Sequence, residues 1–190
     1  MKIKDIFNLP LKIYYYFLFG KYYFNSEIMS VLKIDGGKNI FLGKNIFIGY
    51  KTWLSAIPYS DSKKCQLIIE DGVVIGHFNH IVATKQIVIK KDALLASRIY
   101  ISDNMHDYSN PNLPIKAQKV IQKNEVVIGE GSWIGENVSI LGASVGRNSV
   151  IGANSVVTHS IPDYCVAVGI PAKVVKKYNF ETNIWESVNL

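Results

Sequence analysis

Residues 126–157 read VVIGEGSWIGENVSILGASVGRNSVIGANSVV, and the spacing of the aliphatic residues in this stretch decides the fold. Ile128, Ile134 and Ile140 stand six apart, and Val145, Ile151 and Val157 repeat the interval. It recurs upstream in Leu42/Ile48/Leu54, Ile69/Ile75/Ile81 and Ile89/Leu95/Ile101. A period of six suits neither an amphipathic helix, with its period of about 3.6, nor simple strand alternation. It suits a coil of three short strands, each turning one aliphatic residue inward, with successive turns stacked on one another.

The neighbouring positions carry corner chemistry. The residue after the inward aliphatic is small at Gly43, Gly49, Gly76, Ala96, Gly129, Gly135, Gly146 and Gly152. Three places after the aliphatic stands Asn45, Gly72, Asp92, Gly131, Asn137, Asn148 or Asn154. These types tolerate the left-handed backbone that a tight corner between strands demands. The next place holds Val73, Ala93, Ser132, Val138, Ser149 or Ser155. One turn alone cannot bury its aliphatic residues; a stack of turns makes a continuous column of them.

This aliphatic-Gly-x-Asn/Gly-Ser/Val-x pattern resembles the hexapeptide signature of the left-handed parallel β-helix acyltransferases, across roughly residues 34–175. The resemblance implies an all-β fold, a left-handed parallel β-helix of about five coils. The handedness comes from the resemblance, since the general rule for parallel crossovers favours right-handed turns. Residues 1–33 then form a short N-terminal aromatic segment. Residues 34–175 form the repeat domain with a protruding loop at 102–125, and residues 176–190 a C-terminal tail.

Composition narrows the class. A chain of 190 residues suggests one domain with a sizeable core, and 48% hydrophobic against 19% charged residues fits a globular or peripheral protein. Cys65 and Cys165 form no CxxC pattern, which implies neither a zinc knuckle nor a disulfide framework. The N-terminus lacks a clean apolar core and a small-residue cleavage site, so a reducing, cytoplasmic location is expected. A net charge of +6 suits nucleic acid, an anionic membrane or an anionic small molecule. No nucleic-acid module is readable. The lysines are scattered except for Lys173, Lys176 and Lys177, which makes a polyphosphate cofactor the economical partner.

The stretch Ile13–Phe19, followed by Tyr22–Phe24, is dense in aromatics and flanked by lysines. It falls short of the ~20 apolar residues that a bilayer span needs. A lid over the open end of the coil, or a subunit contact, is the first expectation; peripheral contact with the inner membrane is the second. The tail, with Trp185, reads as a short packing element.

Between Ile101 and Ile128 the period vanishes, and Ser102–Pro114 reads SDNMHDYSNPNLP. Two prolines and polar turn residues mark a projecting loop, the kind of segment where function concentrates. The segment resembles the His-bearing loop of the sugar O-acetyltransferase branch found in lipopolysaccharide and capsule loci. The match is Ser-Asp-x-x-His106-Asp-Tyr, then Asn-Pro and Leu-Pro-Ile, then Val-Ile-Gly-x-Gly-x-Trp133-Ile-Gly. The implied reaction moves acetyl from acetyl-CoA to a saccharide hydroxyl in surface polysaccharide assembly (O-antigen, capsule or exopolysaccharide), with no metal. Such a transfer needs a base at the attacking oxygen. An imidazole, titrating near neutrality, takes that proton and returns it to the departing thiolate, typically a ~10²–10⁴-fold contribution. His106 is that candidate. Asp103, Asp107 or a backbone carbonyl would orient its ring.

The remaining assignments follow from the resemblance. Trp133-Ile-Gly135-Glu136 matches a motif in which the last residue's backbone N–H, here that of Glu136, faces the thioester oxygen. Trp133 and Gly135 would wall the pantetheine channel. Gly152, Ala153 and Thr158 lie in the coil that lines the coenzyme arm, where His159 replaces the lysine usual in the family. Lys173, in Gly-x-Pro-Ala-Lys, and Lys176 would meet the nucleotide phosphates. Asn79, Asp103 and Tyr108 are expected on the acceptor side. Cys165 is the candidate for a covalent route, and direct attack is expected instead. A homotrimer with sites between adjacent subunits is also implied.

Rival readings use the same fold. An N-acetyltransferase for a nucleotide-linked amino sugar would take an amine acceptor. A γ-carbonic-anhydrase-like metalloenzyme would need His77, His80 and His106 as ligands, but His77 and His80 have the wrong spacing. A non-catalytic scaffold leaves the His106 loop without a purpose.

Overall fold

The computed structural model describes residues 9–59 and 63–188, and in them the chain is mostly β. Three parallel sheets run side by side. The first is built from Ile40–Leu42, Gln66–Ile69, Gln86–Ile89 and Val126–Ile128. The second starts with Glu27–Ile28 and Phe47–Ile48, continues through Val74–Ile75, Leu94–Leu95, Trp133–Ile134 and Val150–Ile151, and reaches Cys165–Gly169. The third holds Lys33–Asp35, Trp53–Ala56, His80–Ala83, Tyr100–Ser102, Ser139–Leu141 and Val156–Val157.

Each aliphatic triplet delivers one residue to each sheet. Ile48, Ile75, Leu95, Ile134 and Ile151 follow one another in register across the second. Leu54, Ile81, Ile101, Ile140 and Val157 do so across the third. Leu42, Ile69, Ile89 and Ile128 line the first, where Val145 bridges Ile128. All are at most 1% exposed, so the period of six is the period of core burial. The register also runs past the quoted triplets. Ile28 pairs with Ile48, Ile34 with Leu54, and Ala167 with Ile151.

Left-handed corners hold the sheets at an angle. Asn45, Gly72, Asp92, Gly131 and Asn148 have φ between 47° and 73°, at the turn from the first sheet to the second. At the turn from the second sheet to the third, Asn137 and Asn154 share the conformation with Lys51, Phe78 and Arg98. Those three bulky residues carry no corner signature in sequence, and the stacked neighbours over-determine their backbone. The positions after the corners, from Val73 to Ser155, are buried as their small or apolar side chains require.

Two additions frame the coil. The helix Leu9–Leu18 lays Tyr15 against the open end of the core, followed by Phe19 and Tyr22. Gly20 donates to the Gly37 and Ile40 carbonyls at 3.1 and 3.0 Å. A Cβ at Gly20 would lie 2.4 Å from the Lys38 carbonyl oxygen, so that close approach needs glycine. At the other end, Ala172–Asn179 and Ile184–Ser187 extend the second sheet in antiparallel fashion. No helix of the described residues is long and apolar enough to cross a membrane.

Candidate functional site

The break in the repeat is an arm. Asn104–His106 pairs antiparallel with Val120–Gln122, with His106 opposite Val120. The arm leaves the third sheet directly after Ser102 and closes one wall of a groove of about 470 Å³ on that sheet's outer face. Trp53, His80 and Tyr100, in register on neighbouring strands, form its floor. The His80 ring stacks on Trp53 with centroids 4.1 Å apart and tilts against Tyr100 at 5.3 Å. Trp53 Nε1 donates to Asp35 at 2.8 Å, and Asp35 pairs with Lys33 at 3.1 Å. His106, Met105 and Asn104 face this floor from the arm.

The two acidic candidates for orienting His106 are otherwise engaged. Asp103 is fully buried. Its carboxylate accepts from the backbone N–H groups of Thr84, Lys85 and Gln86, from Thr84 Oγ1 and from Asn104 Nδ2, at 2.8–3.1 Å. It roots the arm on the preceding turn and reaches neither an acceptor nor the imidazole. This corrects the expectation that Asp103 lies on the acceptor side; five donors fix it inward. Asp107 accepts from Ser109 N–H at 2.9 Å, and that bond holds its carboxyl below the usual carboxylate range. The His106 ring is exposed and has no hydrogen-bond partner among the described residues.

Asn79 also turns away from the groove. It is 1% exposed, its Oδ1 accepting from Ile99 N–H at 2.7 Å and its Nδ2 donating to the Ala96 carbonyl at 3.0 Å. The corner uses this amide in place of a sugar hydroxyl, so the acceptor-side expectation is corrected here too. Tyr108 is 67% exposed and does not line the groove.

The residues expected to meet the coenzyme lie away from this groove. Trp133, half-exposed, sits on the outer side of the second sheet. From it the register runs through Val150 and Val166 to Lys176. The row offers an indole, an apolar floor and a cation three strand spacings away, about 14 Å. Lys173 pairs with Val168 on the same strand as Lys176. That sequence of surfaces fits a ligand with an apolar arm and a polyphosphate end. The Glu136 carboxylate pairs with Arg98, and its backbone N–H has no partner among the described residues. Gly135 stacks so closely on the next turn that a Cβ would lie 2.7 Å from the Ala153 nitrogen. Gly152 is shut in against Val168 in the same way. Thr158 Oγ1 and His159 Nδ1 lie 3.0 Å apart at the far edge of the third sheet. None of these residues lines the groove of His106 within one chain.

A covalent route finds no support in the thiols. Cys65 and Cys165 are both buried; burial pushes Cys65 up to about 12 and Cys165 upward from its ordinary value. Neither is an activated thiolate.

A model described as the hexapeptide repeat of succinyl-transferase matches residues 125–159. A relative from Escherichia coli K12, named for lipopolysaccharide biosynthesis and O-acetyl transfer, is 40% identical over 128 residues. The match covers 63% of this chain and 65% of that relative. The chain thus carries the hexapeptide repeat of acyltransferases, and it spans just under two thirds of that relative's length. Among solved structures, a maltose O-acetyltransferase from Clostridium difficile 630 is 29% identical with a TM-score of 0.56, covering 86% of this chain and 72% of that chain. An N-acyltransferase from Bacillus cereus shares the fold with a TM-score of 0.74 at 20% identity, over 90% of each chain.

In this hexapeptide-repeat chain the groove floor is what sequence reading missed. Trp53, His80 and Tyr100 each precede the third inward residue of a triplet, so one register position repeats an aromatic ring. That recurrence was the available signal. His80 is the most constrained of the three, since its Nε2 is buried with no hydrogen-bond partner among the described residues. Burial holds this imidazole below its usual value of 6.5. The folded chain therefore binds fewer protons at His80 than the unfolded chain in the interval just below 6.5. Its contribution to stability is complete above that value and is lost as pH falls through the folded one. Thermal melts of the wild type are expected to weaken on acidification through this interval, and His80→Phe to flatten the decline. Equal slopes in the two proteins would remove His80 as the cause.

Proposed function

We propose that this chain is an acetyl-CoA-dependent O-acetyltransferase that modifies a saccharide hydroxyl in surface polysaccharide assembly. The observation that carries the reading is the free imidazole of His106, held on a rooted arm over an aromatic groove. The likeness to relatives named for O-acetyl transfer supports it.

His106 takes the proton from the acceptor hydroxyl as the oxygen attacks the thioester carbonyl. The backbone N–H of Glu136 holds the oxyanion that develops there. His106 then returns the proton to the departing coenzyme thiolate, so no acyl-enzyme and no metal are required. Trp133, Val150 and Val166 would seat the pantetheine arm, and Lys173 and Lys176 the phosphates. Gly152, Ala153, Thr158 and His159 would border the same coenzyme.

Glu136 stands at the turn from the second sheet to the third and does not line the groove of His106 within one chain, and a homotrimer of left-handed coils of the family type would bring the two together across a subunit boundary. Catalysis is assigned to the cytoplasmic side, where acetyl-CoA is made.

The test is acetyl-CoA-dependent thiol release across free sugars, nucleotide sugars and lipid-linked oligosaccharides, alongside equilibrium sedimentation. Turnover on a hydroxyl acceptor by a trimer supports the reading. Turnover confined to amino sugars would replace O- by N-acetyl transfer, and a folded protein that fails to bind coenzyme A would end the assignment.

A further inference from the structure

We propose that the helix Leu9–Leu18 docks this protein on an anionic bilayer surface, and that the acceptor entering the groove is a lipid-linked saccharide. The second half rests on the sugar-acetylating reading above; the first does not.

The helix reads LPLKIYYYFL and is apolar nearly all round, yet only one side is covered. Tyr15 packs on the end of the coil, with Phe19 beyond it. The other side shows Leu9, Ile13, Tyr16 and Phe17, all exposed, and Phe17 is 67% so. Phe24 joins them, its ring 5.8 Å from that of Tyr16, which makes the patch continuous. A ten-residue helix is about 15 Å long, half the ~30 Å hydrocarbon core, so it lies in the plane of an interface and does not cross it.

Charge selects the occupant. From Leu9 to Ser26 the sequence holds no acidic residue. Lys12 Nζ rests on the Phe24 carbonyl and Lys38 Nζ on that of Phe17, while Lys21 and Lys44 stand over the Tyr23 ring. A second copy seated on this patch would bring like charges together. A layer of anionic headgroups neutralises them and accepts the aromatic rings at its boundary.

Position links the patch to the groove. The groove ends at Lys33 and Asp35, and Asp35 runs directly into Gly36 and Gly37. A Cβ at Gly37 would lie 3.0 Å from Leu18 Cγ, so helix and groove mouth share one end of the coil. A protein resting on this helix holds the groove mouth at the headgroup layer. A saccharide anchored there reaches His106 along the groove floor.

The experiment floats the full chain on phosphatidylcholine vesicles with and without phosphatidylglycerol, beside the variant Ile13→Glu/Phe17→Glu. The wild type is expected to float with the anionic vesicles, less so at high salt. The variant should lose at least about tenfold in binding, with its thermal melt and coenzyme A binding unchanged. Acetylation of a lipid-linked saccharide in the same vesicles should fall with it. Equal flotation of both proteins, or none by either, overturns the docking. A smaller assembly for the variant with flotation unchanged assigns the face to a second copy and overturns it too. Flotation lost as expected, with no acetylation by either protein, supports docking and overturns the acceptor assignment together with the reading it rests on.

Discussion

His106→Ala is expected to lower kcat by ~10²–10⁴-fold while leaving coenzyme A binding intact. The argument is geometric. The ring stands on the arm Asn104–His106, faces a groove floored by Trp53, His80 and Tyr100, and has no partner among the described residues. An engaged imidazole would have to break a bond before accepting a proton; this one does not. Its removal takes away nothing that the fold uses, because the side chain is exposed and the arm is held by backbone pairing. The loss should therefore fall on kcat, with the melting temperature unchanged. The measurement is steady-state thiol release beside calorimetric coenzyme titration. Turnover unaffected by the substitution would remove His106 as the base, and loss of coenzyme binding along with turnover would show a structural role.

The coil was legible in sequence because burial forces one inward residue per strand, and three strands per turn convert that into a period of six. The triplets from Leu42 to Val157 and the left-handed Asn and Gly positions appear where the spacing puts them. Lys51, Phe78 and Arg98 were not legible as corners, because neighbouring turns impose their backbone and their side chains do not favour it. The arm was legible as an interruption, and His106 as the residue with chemistry in it. Its company was not. The groove floor is assembled from residues 27 and 20 positions apart that share one register, a relation invisible until strands are stacked. Asp103 and Asn79 show the opposite failure. Both are polar residues near a functional loop, and in each case a buried backbone N–H, that of Thr84 or Ile99, claims the side chain first.

Asp103→Ala should be the most damaging single change to stability. The carboxylate is fully buried and collects the N–H groups of Thr84, Lys85 and Gln86 at the turn from the third sheet to the first. Alanine leaves the buried Thr84 N–H unpaired, at about 1–3 kcal/mol, and strips the part-buried Lys85 and Gln86 N–H groups of their acceptor at a smaller cost each, so a loss on the order of 3–5 kcal/mol is expected. Against a typical total of ~5–15 kcal/mol that endangers the fold, and it should lower the melting temperature by roughly 10 °C or more. The damage has a functional direction. The Asp103 main-chain carbonyl also accepts from Lys123 N–H at 2.9 Å and Gln122 Nε2 at 2.8 Å, which ties both strands of the arm to one residue. Asp103→Asn keeps one oxygen acceptor and the side-chain shape, so it should fold, melt at an intermediate temperature and lose turnover through misplacement of His106. Denaturant melts of the two variants beside the wild type decide the matter. If alanine at 103 melts with the wild type, the turn does not depend on this carboxylate. If asparagine matches the wild type in turnover while melting lower, Asp103 stabilises the coil without positioning the base.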